Sequence, residues 1–339
     1  MEYYGTLGPA CASPEILERM FRAGMTGIRL NLSHGDLEEN GFRLAAAGEA
    51  AARLGIRPEI LIDLRGPEVR IGRWKEENGP RSAETGALFR FGDGGLPVPD
   101  AFLAHASAGD HILLDDGRLE FLALECSSGG ILARTLRGGQ ILPEKSLALA
   151  GKEIPMPVLT ESDLRNIRCA RSHGVTGVML PFVRSREDLL TLRRALREAD
   201  AGEIRIFAKI ENLQGVRNLE ELLPEADVIV IARGDLGNAM PLWELPGVQK
   251  RMASLCRKAG KPFMVVTQLL DSMEKRAVPT RAEVSDIYNA AADGASSLML
   301  TGETAVGEYP SEAMEYLVRT GEAALKDIKG YGSAQMNGF

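Results

Sequence analysis

The 339-residue chain reads as an α/β protein, a (β/α)8 TIM barrel with a small β-barrel domain inserted after strand 3. Three observations predict this. Short β-branched or aliphatic runs alternate with helical patterns from the first residues to about Leu325, the pattern of parallel strands joined by crossover helices. Eight such runs occur, the number that closes a barrel. The alternation is broken once, between 73 and 150, by short runs separated by glycine-rich turns.

The eight runs cover 3–7, 27–31, 59–64, 177–182, 204–210, 228–232, 262–267 and 297–301. Helix signals fall between them. Ser13 before Pro14 supplies an N-cap and a first helical proline, Thr280-Arg281-Ala282-Glu283 is a capping box, and Gly260 and Gly294 follow helix ends. In the interruption, Gly92-Asp93-Gly94-Gly95, Asp116-Gly117, Gly129-Gly130 and Gly138-Gly139 separate runs such as His111-Ile112-Leu113-Leu114, as hairpins do. The expected organisation is a catalytic barrel of 1–72 and 151–328, an inserted β lid of 73–150, and a flexible tail of 329–339.

Composition removes several functional classes. Forty-seven acidic residues face forty basic ones, and the basic residues form no run, so no nucleic-acid partner is expected. Cys11, Cys126, Cys169 and Cys256 lie far apart without CxxC spacing, which suits reduced thiols in a cytoplasmic protein better than disulfides or zinc. No stretch reaches eighteen uncharged apolar residues and the N-terminal segment lacks a signal-peptide pattern, so no membrane partner is expected and the location is cytoplasmic.

Polar residues gather where strands end, the face on which such barrels keep their chemistry. Arg29, Asn31 and Ser33 go with the second strand, Asp63 ends the third, and Lys209 and Glu211 end the fifth. Asp235 follows the sixth, Thr267 and Gln268 end the seventh, and Thr301 and Glu303 end the eighth. Glu211 and Asp235 offer hard oxygens and leave coordination positions open, as Mg²⁺ or Mn²⁺ prefers; the plainer reading is an ion pair or a helix cap. Lys209 beside them suits an anion, an enolate or a migrating phosphoryl group, or else a salt bridge to Glu211. Arg29, Arg65, Arg70 and Arg233 are candidates to surround a phosphate, with one or two of them serving as structural ion pairs. Thr267 is a proton relay or only a satisfied hydroxyl. Asn31, Ser33 and Asp63 suit a monovalent cation or, taken alone, more readily a turn. Gly5-Thr6-Leu7-Gly8-Pro9 lacks the Lys-Ser/Thr of a phosphate-binding P-loop.

These residues, taken with their neighbours, resemble the pyruvate kinase family. The resemblance is carried by Thr6-Leu7-Gly8-Pro9-Ala10, Gly24-Met25, Arg29 to Gly35, Asp63-Leu64-Arg65-Gly66-Pro67-Glu68-Val69-Arg70, Lys209 to Asn212 and Ala232 to Gly237. It continues in Thr267 to Met273, Pro279 to Glu283 and Thr301-Gly302-Glu303-Thr304-Ala305. It implies phosphoryl transfer between phosphoenolpyruvate and ADP, giving pyruvate and ATP, with Mg²⁺ (or Mn²⁺) and K⁺ as cofactors. It further implies that Glu211 and Asp235 bind the divalent ion and that Lys209 stabilises the enolate and phosphoryl group. Arg29 would hold the phosphoryl, Thr267 would bind the substrate carboxylate with help from the Arg233-Gly234 backbone, and Asp235 and Lys209 would also touch substrate. Arg70 joins Lys209, Arg29 and Thr267 in the expected catalytic set; Asn31, His34 and Arg70 form the expected nucleotide set. Asn31, Ser33, Asp63 and the Leu64 carbonyl would form the K⁺ site, which reverses the turn-first weighting. Glu68 stands where potassium-requiring members carry an acid.

The departures from the family pattern lie on the nucleotide and lid side. Glu39 stands where many members have a tyrosine beside the adenine, Ala239 replaces an acid, Val306 a common lysine and Thr301 a serine, and Ala148-Leu149-Ala150-Gly151 replaces Asn-Leu-Pro-Gly. Members usually carry a further C-terminal domain with the effector site, which the chain stops before, so sugar-phosphate activation is not expected. A homodimer through the exposed helices 242–259 and 281–292 is expected. The alternative function is a metal-dependent lyase, decarboxylase or transferase acting on phosphoenolpyruvate or oxaloacetate after loss of nucleotide binding. A non-catalytic binding protein is the third reading, against which stand Lys209, Glu211 and Asp235, all present.

Overall fold

The computed structural model describes residues 1–67, 69–74, 81–115, 117–152, 154 and 156–336, with side chains described as far as 328. Glu68, the turn residue Asp116 and the end of the expected tail, 337–339, lie outside the described residues. The chain forms two compact units, Met1–Gly66 with Val158–Phe339, and Pro67–Pro157. The boundaries read from sequence, at 72/73 and 150/151, fall inside the second unit. Val69 and Ile71 are buried in that unit's apolar core, and Ile154 and Met156 pack against it.

The first unit is a closed barrel of eight parallel strands in sequence order: Glu2–Thr6, Gly27–Asn31, Glu59–Asp63, Gly177–Leu180, Arg205–Ile210, Val228–Ala232, Phe263–Val266 and Ser297–Leu300. They are counted below as barrel strands one to eight. All eight sequence runs are strands, and the (β/α)8 expectation holds. Strands four and six to eight are buried at every residue, because helices cover the outer face and the strands' own side chains fill the lumen. Alternation sorts the side chains into these two layers. Tyr4, Leu61, Met179, Phe207, Val230, Met264 and Met299 meet in a lumen cluster, while Ile28, Ile62, Ile206 and Ile229 join the larger core beneath the helices. Large lumen residues need small neighbours: a Cβ on Gly177 would lie 2.5 Å from Leu61 and 2.6 Å from Phe207. Each fully buried Phe or Leu contributes on the order of 2 kcal/mol.

Helix ends follow the sequence signals. Ser13 accepts the Ile16 N–H at 3.3 Å, and the Thr280/Glu283 capping box is formed in both directions. The helices Leu245–Lys258 and Arg281–Ala292 stop just before Gly260 and Gly294. The last helix spans Pro310–Met336, beyond the Leu325 at which its pattern weakens. No proline follows Pro310 to break it, and helix glycines cost only about 1 kcal/mol each.

The second unit holds a five-stranded antiparallel sheet in the order Leu147–Leu149, His111–Leu114, Leu119–Ser127, Gly130–Arg137, Leu88–Gly92, beside a two-stranded ribbon of Arg81–Ala83 and Gly139–Ile141. Its core is built around Phe89, Phe91 and Phe121, with ring centroids 5.0 to 5.2 Å apart. On the barrel side, Asp163 ties together the two chain segments that lead to and from this unit. Its carboxylate accepts N–H groups from Arg65 (2.8 Å), Gly66 (3.2 Å) and Thr160 (2.9 Å).

Candidate active site

Strand alternation delivers the central cluster. On strand three Glu59, Leu61 and Asp63 share a face, and Leu61 is in the lumen, so Asp63 points into the lumen at the C-terminal end. By the same rule Phe207 puts Lys209 there from strand five, and Tyr4 puts Thr6 there from strand one. Arg29 reaches the same place from the middle of strand two.

Lys209 Nζ lies 3.2 and 3.1 Å from the two Asp63 oxygens and 2.9 Å from Glu211 Oε1. Arg29 donates to Asp63 Oδ2 through Nε at 3.0 Å and Nη2 at 2.6 Å. The side chains are nearly closed from solvent, at 2% exposure for Asp63 and Glu211, 11% for Arg29 and 14% for Lys209. Burial by itself pushes the Asp63 carboxyl up, but the charges of Lys209 and Arg29 overcome this and hold it below the usual carboxylate range. Burial would lower Lys209; Asp63 and Glu211 outweigh it and hold the ammonium well above an ordinary lysine. The result is an ammonium that stays charged, in a pocket of low dielectric where its field acts strongly.

Glu211 lies just past the end of strand five, and its Oε2 accepts the Phe182 N–H at 3.0 Å. Asp235 sits in the first turn of the short helix Arg233–Asn238 that follows strand six. Among the described residues no group of three or more His, Cys, Asp or Glu side chains is placed to hold a metal ion. Glu211 and Asp235 nevertheless follow the neighbouring strands five and six and both offer hard oxygens, and each Glu211 oxygen has acceptor capacity beyond the contact it makes to Lys209 or Phe182. A divalent ion held there would complete its shell with water or substrate oxygens, the habit of Mg²⁺; the donor set fits.

Of the four candidate arginines, Arg233 is held in structural contacts. Its guanidinium donates to the Thr267 carbonyl at 3.1 and 2.6 Å and pairs with Asp286 at 2.5 Å, and the next residue, Gly234, packs against the Thr267 side chain. A Cβ at Gly234 would come within 3.2 Å of Thr267 Cγ2, so glycine keeps this approach open. Thr267 and Gln268 adopt φ of 80° and 54°. A β-branched residue at positive φ is a strained outlier, costing on the order of 1–3 kcal/mol, and here it is the residue expected to touch substrate.

Other expected residues fall into structural contacts. Asn31 Oδ1 accepts the Ser33 N–H at 3.1 Å and caps the short helix Leu32–His34, which is the turn that Asn and Ser favour. Asp63 is taken up by two cations, and the Leu64 N–H donates to Met179 O at 3.1 Å. Arg70 lies in the second unit and donates to the Glu144 carbonyl at 2.7 Å. Glu303 is a brace: it accepts the Leu270 N–H at 3.1 Å and the Thr301 N–H at 2.7 Å, joining the turns after strands seven and eight.

Residues 2–314 match the family model of the pyruvate kinase barrel domain. The chain belongs to the pyruvate kinase family. It is 40% identical over 320 residues to a pyruvate kinase of Geobacillus stearothermophilus and to one of Bacillus licheniformis, in each case across 91% of this chain and 54% of the relative. It is 37% identical over 327 residues to a pyruvate kinase of Corynebacterium efficiens, across 93% of this chain and 67% of the relative. The chain spans about half the length of the first two relatives. In this pyruvate kinase-family barrel, strand-end chemistry pointed to Lys209, Glu211 and Asp235, but Thr6 and Asp163 carried no role in the sequence reading. Thr160-x-x-Asp163 is a capping-box pattern that would have found the second; Thr6 had only its place in an unassigned glycine-containing segment.

Proposed function

We propose that the chain transfers the phosphoryl group of phosphoenolpyruvate to ADP, giving pyruvate and ATP. The observation that carries this reading is the buried Lys209 ammonium, held charged between Asp63 and Glu211 with the Arg29 guanidinium on the same Asp63 oxygen. In the proposed reaction an ADP β-phosphate oxygen bonds to phosphorus, the bond from phosphorus to the enol oxygen breaks, and the enolate takes a proton at its methylene carbon. Arg29 grips the phosphoryl oxygens, Lys209 stabilises charge as it moves onto the enolate, and Thr267 with the Arg233-Gly234 backbone orients the carboxylate.

Mg²⁺ or Mn²⁺ bound by Glu211 and Asp235 would supply Lewis-acid stabilisation to enolate and phosphoryl oxygens. Asn31, Ser33, Asp63 and the Leu64 carbonyl are proposed for K⁺, and Asn31, His34 and Arg70 for the nucleotide. The inserted unit is proposed to act as the lid that excludes water. Leu242 and Trp243, 68% and 83% exposed, support a homodimer through the segment leading into helix Leu245–Lys258; sedimentation at one subunit mass would remove that part.

The name borne by the relatives favours the kinase over the nucleotide-free lyase. A lactate dehydrogenase-coupled assay with phosphoenolpyruvate, ADP, Mg²⁺ and K⁺ tests it. Pyruvate formation that requires ADP is expected, with loss of rate on chelation of Mg²⁺. Pyruvate formed equally without ADP, or none at saturating substrates, overturns the reading.

A further inference from the structure

We infer that Thr6 is a positioning residue for Arg29, setting the orientation in which the guanidinium meets the phosphoryl group; this rests on the phosphoryl-transfer reading above. Arg29 is held at two points. Its Nε and Nη2 both bond a single oxygen, Asp63 Oδ2, at 3.0 and 2.6 Å. A two-oxygen fork would fix the guanidinium plane, but two bonds converging on one atom form a pivot. The second fixed point is Thr6, whose Oγ1 accepts from Arg29 Nη1 at 3.1 Å. With both contacts made, Nη1 and Nη2 each keep one N–H that can donate to an anion.

Thr6 is itself held rigidly. Its hydroxyl proton goes to the Leu300 carbonyl at 2.9 Å, which turns the oxygen's remaining lone pairs toward Arg29. Its backbone is bound both ways by one side chain: the Thr6 N–H donates to Thr304 Oγ1 at 2.9 Å, and that hydroxyl donates to the Thr6 carbonyl at 3.0 Å. Thr6 and Thr304 are 3% and 0% exposed, so water does not compete. Two hydroxyls thereby connect the end of strand eight, through strand one, to the arginine of strand two. A valine at position 6 would keep the shape and remove the acceptor.

The test compares Thr6→Val and Thr6→Ser in the full chain. Thr6→Val is expected to lower kcat for pyruvate formation about 10- to 100-fold, the scale of an ångström-sized misplacement of a reacting group, with KM for ADP within about 2-fold by the same logic. Thr6→Ser restores the acceptor and is expected to recover most of kcat. A Thr6→Val rate within 2-fold of wild type, or a serine variant as slow as the valine one, overturns the inference. A crystal structure of Thr6→Val needs no turnover: displacement of the Arg29 guanidinium while Lys209 stays on Asp63 supports the inference, and an unmoved guanidinium overturns it. If the parent chain forms no pyruvate, the reaction reading fails while the crystal structure still decides the role of Thr6.

Discussion

The two ends of the barrel lumen hold the same pair of charges in different surroundings. At the N-terminal end, Glu59 of strand three pairs with Arg205 of strand five; at the C-terminal end, four residues further along each strand, Asp63 pairs with Lys209. Leu61 and Phe207 separate the two pairs within the lumen. At the lower end Glu59 and Arg205 are 30% and 35% exposed, the Tyr4 hydroxyl donates to Glu59, and the Arg205 guanidinium lies 5.1 Å from the Phe207 ring centroid. At the upper end the pair is almost closed off and further charges, Arg29 and Glu211, crowd it. A half-solvated pair contributes little to stability, about 0–1 kcal/mol. A buried cluster is expensive to assemble, and apolar residues of similar size would hold a barrel together at least as well. The costly position is thus the one for which a catalytic role is proposed.

The largest expected effect separates the ends by activity. Lys209→Met is expected to lower kcat for pyruvate formation about 1000-fold or more, as loss of a preorganised charge at the reacting centre does. Arg205→Met, the matching change at the other end, is expected to leave kcat within about 3-fold, since the N-terminal face of such barrels carries stability rather than catalysis. Coupled assays on the two purified variants measure both. Equal losses would dissolve the distinction.

A smaller effect, opposite in kind, concerns stability. Asp63→Asn leaves Lys209 and Arg29 without their shared carboxylate and should cost about 3–5 kcal/mol in urea unfolding, the usual result of stranding buried charge. Glu59→Gln should cost no more than about 1 kcal/mol. A Glu59 variant as unstable as the Asp63 one would place structural weight at the lower end and weaken the reading of the upper cluster as a site.

Much of this contrast was legible in the sequence. The strands were visible because apolar runs buried on both faces alternate with capped helices, and Lys209, Glu211 and Asp235 stood out because each is polar where such a run stops. Strand ends were less legible. The sequence run 262–267 exceeds strand seven, Phe263–Val266, by one residue at each end; at the far end Thr267 looks β-forming while its positive φ takes it out of the ladder. Phe182, at φ 53°, misled the fourth strand in the same way. The partners of Asp63 were not legible, since Arg29 and Lys209 are 34 and 146 positions away and only barrel closure brings them together. Thr6 was hidden for a related reason: a threonine in a strand is ordinary until the fold shows which hydroxyl faces which guanidinium.

The finest discrimination comes from pH. Asp63 has its carboxyl held below the ordinary value, so its contribution is fully present above the unfolded pKa of about 3.9 and is lost as pH falls through the depressed folded value. Lys209 is raised, so its contribution is complete below the unfolded pKa of about 10.4 and is lost only as pH rises through the still higher folded one. The stability difference between the parent chain and Asp63→Asn should therefore stay level from about pH 5 to pH 10 and shrink on the acid side, where the parent's carboxyl takes up its proton. For the rate, Lys209 stays protonated through the neutral range, so no basic limb of kcat below about pH 10 belongs to it. Unfolding in urea across pH, with kcat measured alongside, checks both. A stability difference that grows as pH falls from 5 to 3, or a basic limb near pH 8 that disappears in a Lys209→Arg variant retaining measurable turnover, would mean that the upper cluster is more open to water than its burial implies, and the contrast between the two ends would narrow accordingly.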